Sequence, residues 1–311
     1  MNYKLKRIGI HALADLVPIF ESAFGTSPDM TYISNKHATD FAGVRDIGYV
    51  AYSDKDQPAA FYGVFPLEVR INGEFLLVAQ SGDTMVAKEH ERRGLFILLA
   101  NETYKLCKST RIAGVFGFPS SSSYPGFVKK LGWEHLENIK RYQFLIPTIP
   151  FAEISARFSI FRKPLVRWQC FLAKLFFPEG TPFEGGILGE NQDGIRRNDG
   201  YWKYKLNSKS VKLIRVNDCD VVVKFDGNLG IGDVNHRTLE DLKKVISRLK
   251  ILCFFGGINR IVFYTSPETK LDHDLSKIAN AQKGLPIGFL SFEEERNLNK
   301  LKFCYLDMDT Y

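Results

Sequence analysis

Residues 84–106, TMVAKEHERRGLFILLANETYKL, combine an apolar strand-like run, a charged turn and the start of a helix. Arg92 and Arg93 precede Gly94 in the turn, and Leu95 and Phe96 open the helical pattern. The first N–H groups of a helix have no intrahelical acceptor and carry the positive end of the helix dipole. We therefore predict that the N–H groups of residues 92–96 bind an anion. Gly94 would allow close approach, and Arg92 or Arg93 would add charge.

The composition limits the kinds of protein that this chain can be. It has 311 residues, 45% hydrophobic and 25% charged, with a formal net charge of +7. This length suits two domains with sizeable cores. The positive charge favours an acidic partner, which could be a nucleotide cofactor, a nucleic acid or an anionic membrane surface. The sequence shows no export signal and no transmembrane segment, so we expect a cytoplasmic protein.

Cysteine and histidine spacing argues against disulfide and metal chemistry. The five cysteines are scattered without a CxxC pair, and the six histidines show no metal-binding spacing. We expect buried thiols and no metal site. His90 is the one histidine in a stretch with a predicted function.

The order of elements predicts the fold class. Apolar spacing and turn residues indicate a strand at 3–8, helices at 10–24 and 29–41, and strands at 47–53, 59–71 and 75–87. Asn72–Gly73 predicts a tight hairpin between the last two strands. After the helix that ends near Cys107, we expect a strand at 112–119, a helix opening in SSSSYPGFVKKLG, and a strand pair within 133–145. This order predicts an α/β fold of the α+β kind, a mixed sheet covered by helices.

Composition shifts divide the chain into three segments. We predict a first domain at 1–148, a helical and loop connecting region at 149–200, and a second domain at 201–311. The basic, aromatic run 152–177 is helix-compatible. Such a helix can lie on a membrane surface, but helices that link two domains look similar and are commoner. The terminal LDMDTY is expected to be a frayed tail.

Other phosphate-binding and nucleophile motifs are absent from the sequence. There is no GxxxxGK[ST] run, and GNLGIGDVNH at 227–236 only imitates a dinucleotide-binding fingerprint, so we predict a loop there. The serines of SSSSY lack a GxSxG elbow and make good helix caps.

The residues around the turn resemble the GCN5-related N-acetyltransferase (GNAT) superfamily. Its acetyl-CoA motif, Q/R-x-x-G-x-G/A, is matched by the residues Glu91 to Phe96, and the strand–helix–strand–helix–LGW order covers residues 75–145. YWKYKL at 201–206 and the αβ half after it are similar to tandem members whose second domain is a degenerate GNAT copy. The resemblance implies an N-acyltransferase that uses acetyl-CoA or another acyl-CoA as co-substrate and a small-molecule primary amine, such as an amino sugar, as acceptor.

The resemblance implies a cofactor site with three parts. The pyrophosphate would lie on the N–H groups of residues 92–96, and the pantetheine arm would pair with the strand edge. Ser120 or Ser121 stands where the family often has Asn. The sequence departs from the family at Glu91, Phe96 and Val128, the last standing where a tyrosine acid is usual. The predicted cofactor-binding residues are Thr84, Met85, Val86, Arg92, Arg93, Gly94, Leu95, Phe96, Ser120 and Ser121.

Acyl transfer to an amine needs placement, a proton acceptor and a proton donor. Tyr124 is the candidate acid, Glu68 and Asp83 are the candidate bases, and the terminal carboxylate is a further candidate base. Two other functions stay open: a CoA-binding protein without activity, and an aminoacyl-tRNA-dependent transferase whose basic linker contacts RNA. We expect a small-molecule amine rather than nucleic acid as partner and leave a homo-oligomer open.

Overall fold

The computed structural model describes residues 2–151, 159–187, 193–293 and 298–311. The chain divides into two compact units, of which unit 1 comprises Met1–Leu136 with Pro286–Lys300. Unit 2 comprises Glu137–Leu285 with Leu301–Tyr311. Segment 286–300 therefore belongs with unit 1 although it lies near the end of the chain. The predicted domain limits stay a prediction, because a compact unit is not always an independently folding domain.

The described elements alternate between strands and helices throughout the chain. The strands are β1 (Lys4–Arg7), β2 (Ile47–Tyr52), β3 (Pro58–Ile71), β4 (Glu74–Val86), β5 (Gly114–Gly117), β6 (Glu134–Leu145), β7 (Asp193–Ile195), β8 (Val211–Val216), β9 (Cys219–Asp226), β10 (Asn228–Val234), β11 (Arg260–Thr265), β12 (Gln282–Ser291) and β13 (Leu301–Lys302). The α-helices are α1 (Leu16–Phe24), α2 (Met30–His37), α3 (Leu95–Ser109), α4 (Tyr124–Leu131), α5 (Ser159–Phe176), α6 (Asp199–Leu206), α7 (Leu239–Gly256) and α8 (Lys270–Ser276). Short 3₁₀ helices lie at Ile10–Asp15, Asp40–Ala42, Lys88–His90, Leu298–Lys300 and Tyr305–Asp307.

Unit 1 contains a mixed sheet in the order β1-β2-β3-β4-β5-β12. Strands β4 and β5 are parallel, and the other neighbours are antiparallel. The hairpin between β3 and β4 turns at Asn72 and Gly73, whose φ angles are 50° and 86°. Two consecutive positive φ values define the turn that matches strand twist. The predicted hairpin and mixed sheet are confirmed.

Both faces of the unit 1 sheet are covered by apolar side chains. Tyr62 and Val64 on β3 pack with the buried face of α3, whereas Phe61, the residue before Tyr62, packs with α1. Alternate residues of a strand point to opposite faces, so β3 contributes to two cores. On α3 the buried residues recur at helical spacing, and they are Leu95, Leu99, Ala100, Thr103, Tyr104 and Cys107.

Unit 2 repeats the order of connections found in unit 1. Its main sheet runs β6-β11-β10-β9-β8. Strands β8, β9 and β10 form an antiparallel meander, α7 follows, and β11 is parallel to β10. In unit 1 the same succession is β2, β3, β4, α3 and β5. A parallel neighbour requires a crossover connection, and a helix supplies it in each unit.

The expected strand pair within residues 133–145 is wrong. The structure has one long strand there, β6, whose residues Lys140–Leu145 pair antiparallel with β11 in unit 2. The antiparallel neighbour of β5 in unit 1 is β12, from near the chain end, with Gly117 opposite Gly288. No hairpin forms within 133–145 because each unit completes its sheet with a strand from the distant part of the sequence.

The loop predicted at 227–236 is also wrong, because most of it forms β10. A Cβ at Gly230 or Gly232 would come within 2.6 Å of the ring of Tyr305 or Tyr311. Glycine in a strand often marks a close approach of this kind. Tyr311 is buried, and its hydroxyl donates to the Gly230 carbonyl at 3.3 Å. The terminal residues are therefore packed on β10, and the expected frayed tail is a second error with the same cause.

The five cysteines are free and buried, which confirms the prediction of buried thiols. Burial raises the pKa of Cys107 to about 12, so that thiol stays protonated at neutral pH. In the described part of the chain, no group of three His, Cys, Asp or Glu side chains could hold a metal ion. No helix within the described ranges is long and apolar enough to cross a membrane.

A buried ionic cluster ties the end of the chain to β10. The Arg197 guanidinium donates to the carboxylates of Asp233 and Asp307 and to the Cys304 sulfur. The Arg197, Asp233 and Asp307 side chains are each at most 1% exposed. One cation thus neutralises two carboxylates that have no access to water.

We expect Arg197→Met to lower the free energy of unfolding by about 3–5 kcal/mol, because it leaves buried carboxylates without a counter-charge. Urea unfolding followed by circular dichroism measures this loss. The neighbouring exposed Arg196 provides the matched control, and Arg196→Met should change stability far less. Equal effects of the two substitutions would contradict the role given to the cluster.

Candidate functional site

The turn between β4 and α3 has a left-handed backbone at two positions. The 3₁₀ helix Lys88–His90 follows β4, and the φ angles of Arg92 and Gly94 are then 59° and 77°. A Cβ built on Gly94 would meet nothing within 4 Å. Glycine at 94 is therefore explained by the positive φ and not by lack of space.

Helix α3 begins without a cap. Gly94 is its N-cap residue and has no side-chain cap hydrogen bond, and the first bond of the helix runs from the Leu98 N–H to the Gly94 carbonyl. Among the described residues, the backbone N–H groups of Gly94, Leu95 and Phe96 meet no acceptor. They lie at the positive end of a 15-residue helix. N–H groups in this arrangement can bind an anion.

The two arginines of the turn differ in their contacts. Arg93 donates to the Glu89 carbonyl at 3.0 Å and to the Tyr3 hydroxyl at 3.4 Å. His90 is buried, and its Nδ1 is 2.9 Å from the same Tyr3 hydroxyl. Arg92 is exposed, and its side chain has no partner within the described ranges. Arg93 and His90 hold the turn in place, and Arg92 is the cation free to approach an anion.

Strand β4 bulges just before this turn. Gly63 faces Gly82 and Phe61 faces Met85, so Asp83 and Thr84 together lie opposite the single residue Tyr62. Asp83 has a φ of 46°, which is uncommon for a residue with a side chain. Two residues opposite one define a β-bulge, which twists and bends the strand.

Beyond the middle of β4, its edge on the β5 side is open, because no strand among the described residues pairs with it there. The two strands pair only at Ala79–Val115 and Gln80–Phe116. Further along, the Ala87 N–H donates to the Ala59 carbonyl, and Val86 faces Ala60. Backbone groups alternate in direction along an antiparallel strand, so the N–H and C=O of Val86 point away from β3. An extended chain with amides can pair with this edge as another strand would.

A buried polar network, which no sequence motif predicts, lies where the unpaired edge of β4 begins. The Tyr62 hydroxyl is hydrogen-bonded to the Ser81 hydroxyl at 2.8 Å and to the Tyr104 hydroxyl at 3.0 Å. The Trp133 indole N–H donates to Tyr104 at 2.9 Å. Burial holds the pKa of Tyr62 well above its ordinary value, so its proton stays in place. The network joins β3, β4, α3 and the LGW segment.

Asp83, a predicted base, forms a buried ion pair with α2. Lys36 Nζ donates to Asp83 Oδ1 at 2.6 Å, and His37 Nε2 lies 3.7 Å from Asp83 Oδ2. Burial alone would raise the pKa of Asp83, but Lys36 and His37 outweigh it and hold that pKa well below its usual range. A carboxylate with a low pKa accepts protons poorly. Its contacts make Asp83 an anchor of the bulge.

Glu68, the other predicted base, lies elsewhere on the sheet. It is half-buried on β3 and faces Leu77, whereas Gly63 of the same strand faces Gly82 at the bulge. Five residues of strand separate Glu68 from Gly63, which corresponds to roughly 17 Å. The structure does not bring Glu68 together with Asp83, Thr84 and the turn.

The start of α4 lies beside the start of α3. A Cβ on Gly126 would come within 2.8 Å of the Phe96 ring, and Phe96 also packs edge-on against Phe127 with ring centres 5.0 Å apart. Phe96 stands where the family has Gly or Ala. Its ring fits because Gly126 of α4 has no side chain at the point of contact. Tyr124, the first residue of α4, is half-buried, and its hydroxyl has no partner among the described residues.

The two predicted serines differ in their contacts. The Ser120 hydroxyl is bonded within its own turn, to Ser122 at 2.9 Å and Ser123 at 3.1 Å. Ser121 is exposed and has no such contact. Thr84 and Val86 are half-buried along the open edge, and Met85 packs in the core with α1. The structure thus gathers the residues of the turn, the strand edge and the α4 start in unit 1.

Comparison with known proteins shows which family model the sequence of unit 1 matches. Residues 4–136 match the family model described as Acetyltransferase (GNAT) domain. Unit 1 carries a GNAT domain. The match contains β4, the turn and α3 in full, and the resemblance inferred from Glu91 to Phe96 is confirmed. No curated protein matches the sequence.

Solved structures show that the similarity of fold extends over most of the chain. A probable N-acyltransferase of unknown function from Enterococcus faecalis V583 is 13% identical with a TM-score of 0.61, covering 94% of this chain and 73% of that one. A putative acetyltransferase from Pyrococcus horikoshii is 14% identical, with a TM-score of 0.56 and coverage of 97% and 93%. Saccharomyces cerevisiae N-myristoyltransferase with bound myristoyl-CoA is 8% identical, with a TM-score of 0.56 and coverage of 93% and 78%. These likenesses establish a mixed α/β, GNAT-like fold.

We expect Gly94→Asp to weaken coenzyme A binding at least tenfold, because the new carboxylate repels the pyrophosphate and competes for the free N–H groups. Gly25→Asp is the matched control, since Gly25 also has a positive φ and open space around it but ends a helix. Isothermal titration calorimetry with coenzyme A measures both variants. Equal loss of coenzyme A affinity in both variants, or no loss in Gly94→Asp, would contradict anion binding at the start of α3.

We expect Asp83→Asn to destabilise the protein by about 3 kcal/mol at neutral pH, because it leaves Lys36 buried without its counter-charge. The folded-state pKa of Asp83 is lowered, so its contribution is complete above the unfolded pKa of about 3.9 and falls as pH drops below it. The difference from wild type should shrink by about 1.4 kcal/mol per pH unit between pH 4 and pH 2. Urea unfolding at several pH values tests this. Asp56→Asn, in an exposed pair with Lys4, should show no such trend.

Proposed function

We propose that the protein is an acyl-CoA-dependent N-acyltransferase that transfers an acyl group to a primary amine of a small molecule, such as an amino sugar. The observation that carries this proposal is the uncapped start of α3 beside the open edge of β4. The first feature suits a pyrophosphate and the second suits a thin arm with two amides, and coenzyme A combines the two. The GNAT family match supports an acyltransferase that uses an acyl-CoA.

The proposed binding mode assigns a part of coenzyme A to each feature. The pyrophosphate lies on the N–H groups of Gly94, Leu95 and Phe96, with Arg92 adding charge. The pantetheine amides pair with the outward N–H and C=O of Val86. The thioester then lies towards the bulge at Asp83 and Thr84, where β4 no longer pairs with β5.

In the proposed reaction the amine attacks the thioester of the acyl-CoA directly in a ternary complex, without an acyl-enzyme intermediate. The amine nitrogen forms a bond to the carbonyl carbon, the carbon–sulfur bond breaks, and the nitrogen loses a proton to solvent water. The departing sulfur takes up a proton, which Tyr124 supplies from its unpartnered hydroxyl. Asp83 holds the bulge through Lys36 and does not move a proton. We leave Glu68 out of the reaction because of its position along β3.

A coenzyme A-binding protein without activity is the second candidate. Val128 stands on α4 where the family usually has its tyrosine acid, and Asp83 is committed to an ion pair. These two observations remove groups that an active enzyme would use. Binding without turnover against a broad amine panel would favour this candidate.

The test is release of free coenzyme A from acetyl-CoA in the presence of amines that include amino sugars. We expect amine-dependent release by the wild type and loss of it in Gly94→Asp. If Gly94→Asp leaves the activity towards every acceptor intact, or if activity requires aminoacyl-tRNA, the proposal is wrong.

We expect Tyr124→Phe to lower kcat about 100-fold or more with little change in the KM for acetyl-CoA, since it removes a proton donor and keeps the ring. Tyr49→Phe is the matched control, because Tyr49 is half-buried on β2 of the same unit. Steady-state kinetics at saturating amine separates kcat from KM. Unchanged kcat in Tyr124→Phe would remove Tyr124 from the proposed chemistry.

A further inference from the structure

Helix α5 exposes a stripe of large apolar side chains. Phe161, Trp168, Phe171 and Leu175 are 48–64% exposed, and Trp168 stacks on Phe171 with ring centres 5.8 Å apart. Their spacing of seven, three and four residues places them on one face of the helix. The opposite face is buried through Gln169, Cys170 and Ala173. The stripe is therefore turned away from the core of unit 2.

The end of α7 and the segment after β6 extend this apolar surface. Ile251, Phe254 and Phe255 on α7 are 45–57% exposed. Phe255 packs against Phe176 of α5 at 5.9 Å, and the Gln169 amide donates to the Gly256 carbonyl at 2.9 Å. Pro147–Phe151 line a groove with Phe254 and Phe255. We call the seven residues of α5 and α7 the apolar face: Phe161, Trp168, Phe171, Leu175, Ile251, Phe254 and Phe255.

Cationic side chains border the apolar face. Lys163, Arg167 and Lys174 are exposed and lie four and seven residues apart, on the face of α5 next to the stripe. The α5 sequence, SIFRKPLVRWQCFLAKLF, contains no acidic residue. On α7 the preceding turns expose further cations, which are Lys243, Lys244, Arg248 and Lys250. An aromatic surface with a basic border on a helix is typical of proteins that lie at a membrane interface.

We propose that the apolar face docks on an anionic lipid surface, with α5 parallel to the bilayer plane. Its aromatic side chains enter the headgroup region, and Lys163, Arg167 and Lys174 contact lipid phosphates. A second copy of the chain fits less well, because a two-fold contact would bring the two basic borders together. Contiguous exposed apolar patches with a polar rim mark interaction sites in general, and the charge of this rim selects an anionic partner.

Fluorescence of Trp168 provides the first test. The chain has three tryptophans, and the other two, Trp133 and Trp202, are buried. Vesicles of phosphatidylcholine mixed with phosphatidylglycerol should shift the emission to shorter wavelength, and brominated lipid should quench it. Phosphatidylcholine alone should do neither. Trp168→Phe should remove both signals while the protein still sediments with the vesicles.

Vesicle co-sedimentation of apolar variants provides the second test. Phe171→Glu should weaken binding roughly tenfold or more, because it places a charge in the apolar contact. Phe75→Glu is the matched control, since Phe75 is 52% exposed and Phe171 is 53% exposed. Phe75 lies at the β3–β4 hairpin of unit 1, so its variant should bind as the wild type does. Far-ultraviolet circular dichroism confirms that both variants are folded.

Charge variants test the choice of an anionic lipid. The triple variant Lys163→Gln, Arg167→Gln and Lys174→Gln should lose tenfold or more in affinity for phosphatidylglycerol vesicles. The control triple, Lys55→Gln, Lys105→Gln and Lys300→Gln, removes the same net charge from exposed positions elsewhere. Wild-type binding should also weaken as salt increases.

Three results would overturn the proposal. One is absence of binding to any of the vesicles, and another is equal loss in the test and control variants. The third is a stable dimer whose mass falls to that of a monomer in Phe171→Glu, because the apolar face would then be covered by a second copy.

Discussion

The proposed chemistry of unit 1 depends on backbone N–H groups that the chain itself leaves without acceptors. Most helices begin with a side chain that accepts from the first turn, and loss of such a cap costs about 0.5–2 kcal/mol. The N-cap residue of α3 is Gly94, which has no side chain that could accept these hydrogen bonds. Two hydrogen bonds hold the turn before this helix in place. Arg93 donates to the Glu89 carbonyl, and the Tyr3 hydroxyl is hydrogen-bonded to the His90 ring. An anion placed there completes hydrogen bonds that the fold has left open.

A second constraint is steric and concerns the approach of α4 to α3. Phe96 projects from the first turn of α3 and occupies the space that a side chain at Gly126 would need. The large residue in one helix and the glycine in the other are therefore complementary. Beneath them, Tyr62 joins Ser81 and Tyr104 in a network with no water access to its central hydroxyl. The departure from the family motif at Phe96 keeps the helix start in place, because α4 accommodates it.

The sequence predicts those features that neighbouring residues determine. Asn72–Gly73 requires a particular turn, and the glycine before Leu95 suits a positive φ, so the hairpin and the glycine turn that begins α3 can be predicted without a structure. The sequence does not show the ion pair of Asp83, because its partner Lys36 is 47 residues away along the chain. The sequence also does not separate Glu68 from Asp83, because linear order does not show the distance between two points of a hairpin.

The same reason explains the errors in unit 2. The glycines of β10 look like a loop until the rings of Tyr305 and Tyr311 are placed against them. The six residues of LDMDTY give no local sign of burial, since the Arg197 cluster that holds Asp307 is assembled from three distant segments. The exposed stripe of α5, by contrast, can be read from spacing, but only the structure shows that no described element covers it.

The exchange of strands between the two halves of the sequence affects the order in which the chain can fold on the ribosome. Unit 1 contains most of the N-terminal residues, yet β5 gains its antiparallel neighbour only when Gly288–Ser291 have been synthesised. Until then the nascent chain carries an unpaired strand edge, which is a site for mispairing with another polypeptide. Translation as far as residue 291 therefore precedes closure of the first sheet, and a chaperone that shields β5 during that interval would favour correct folding.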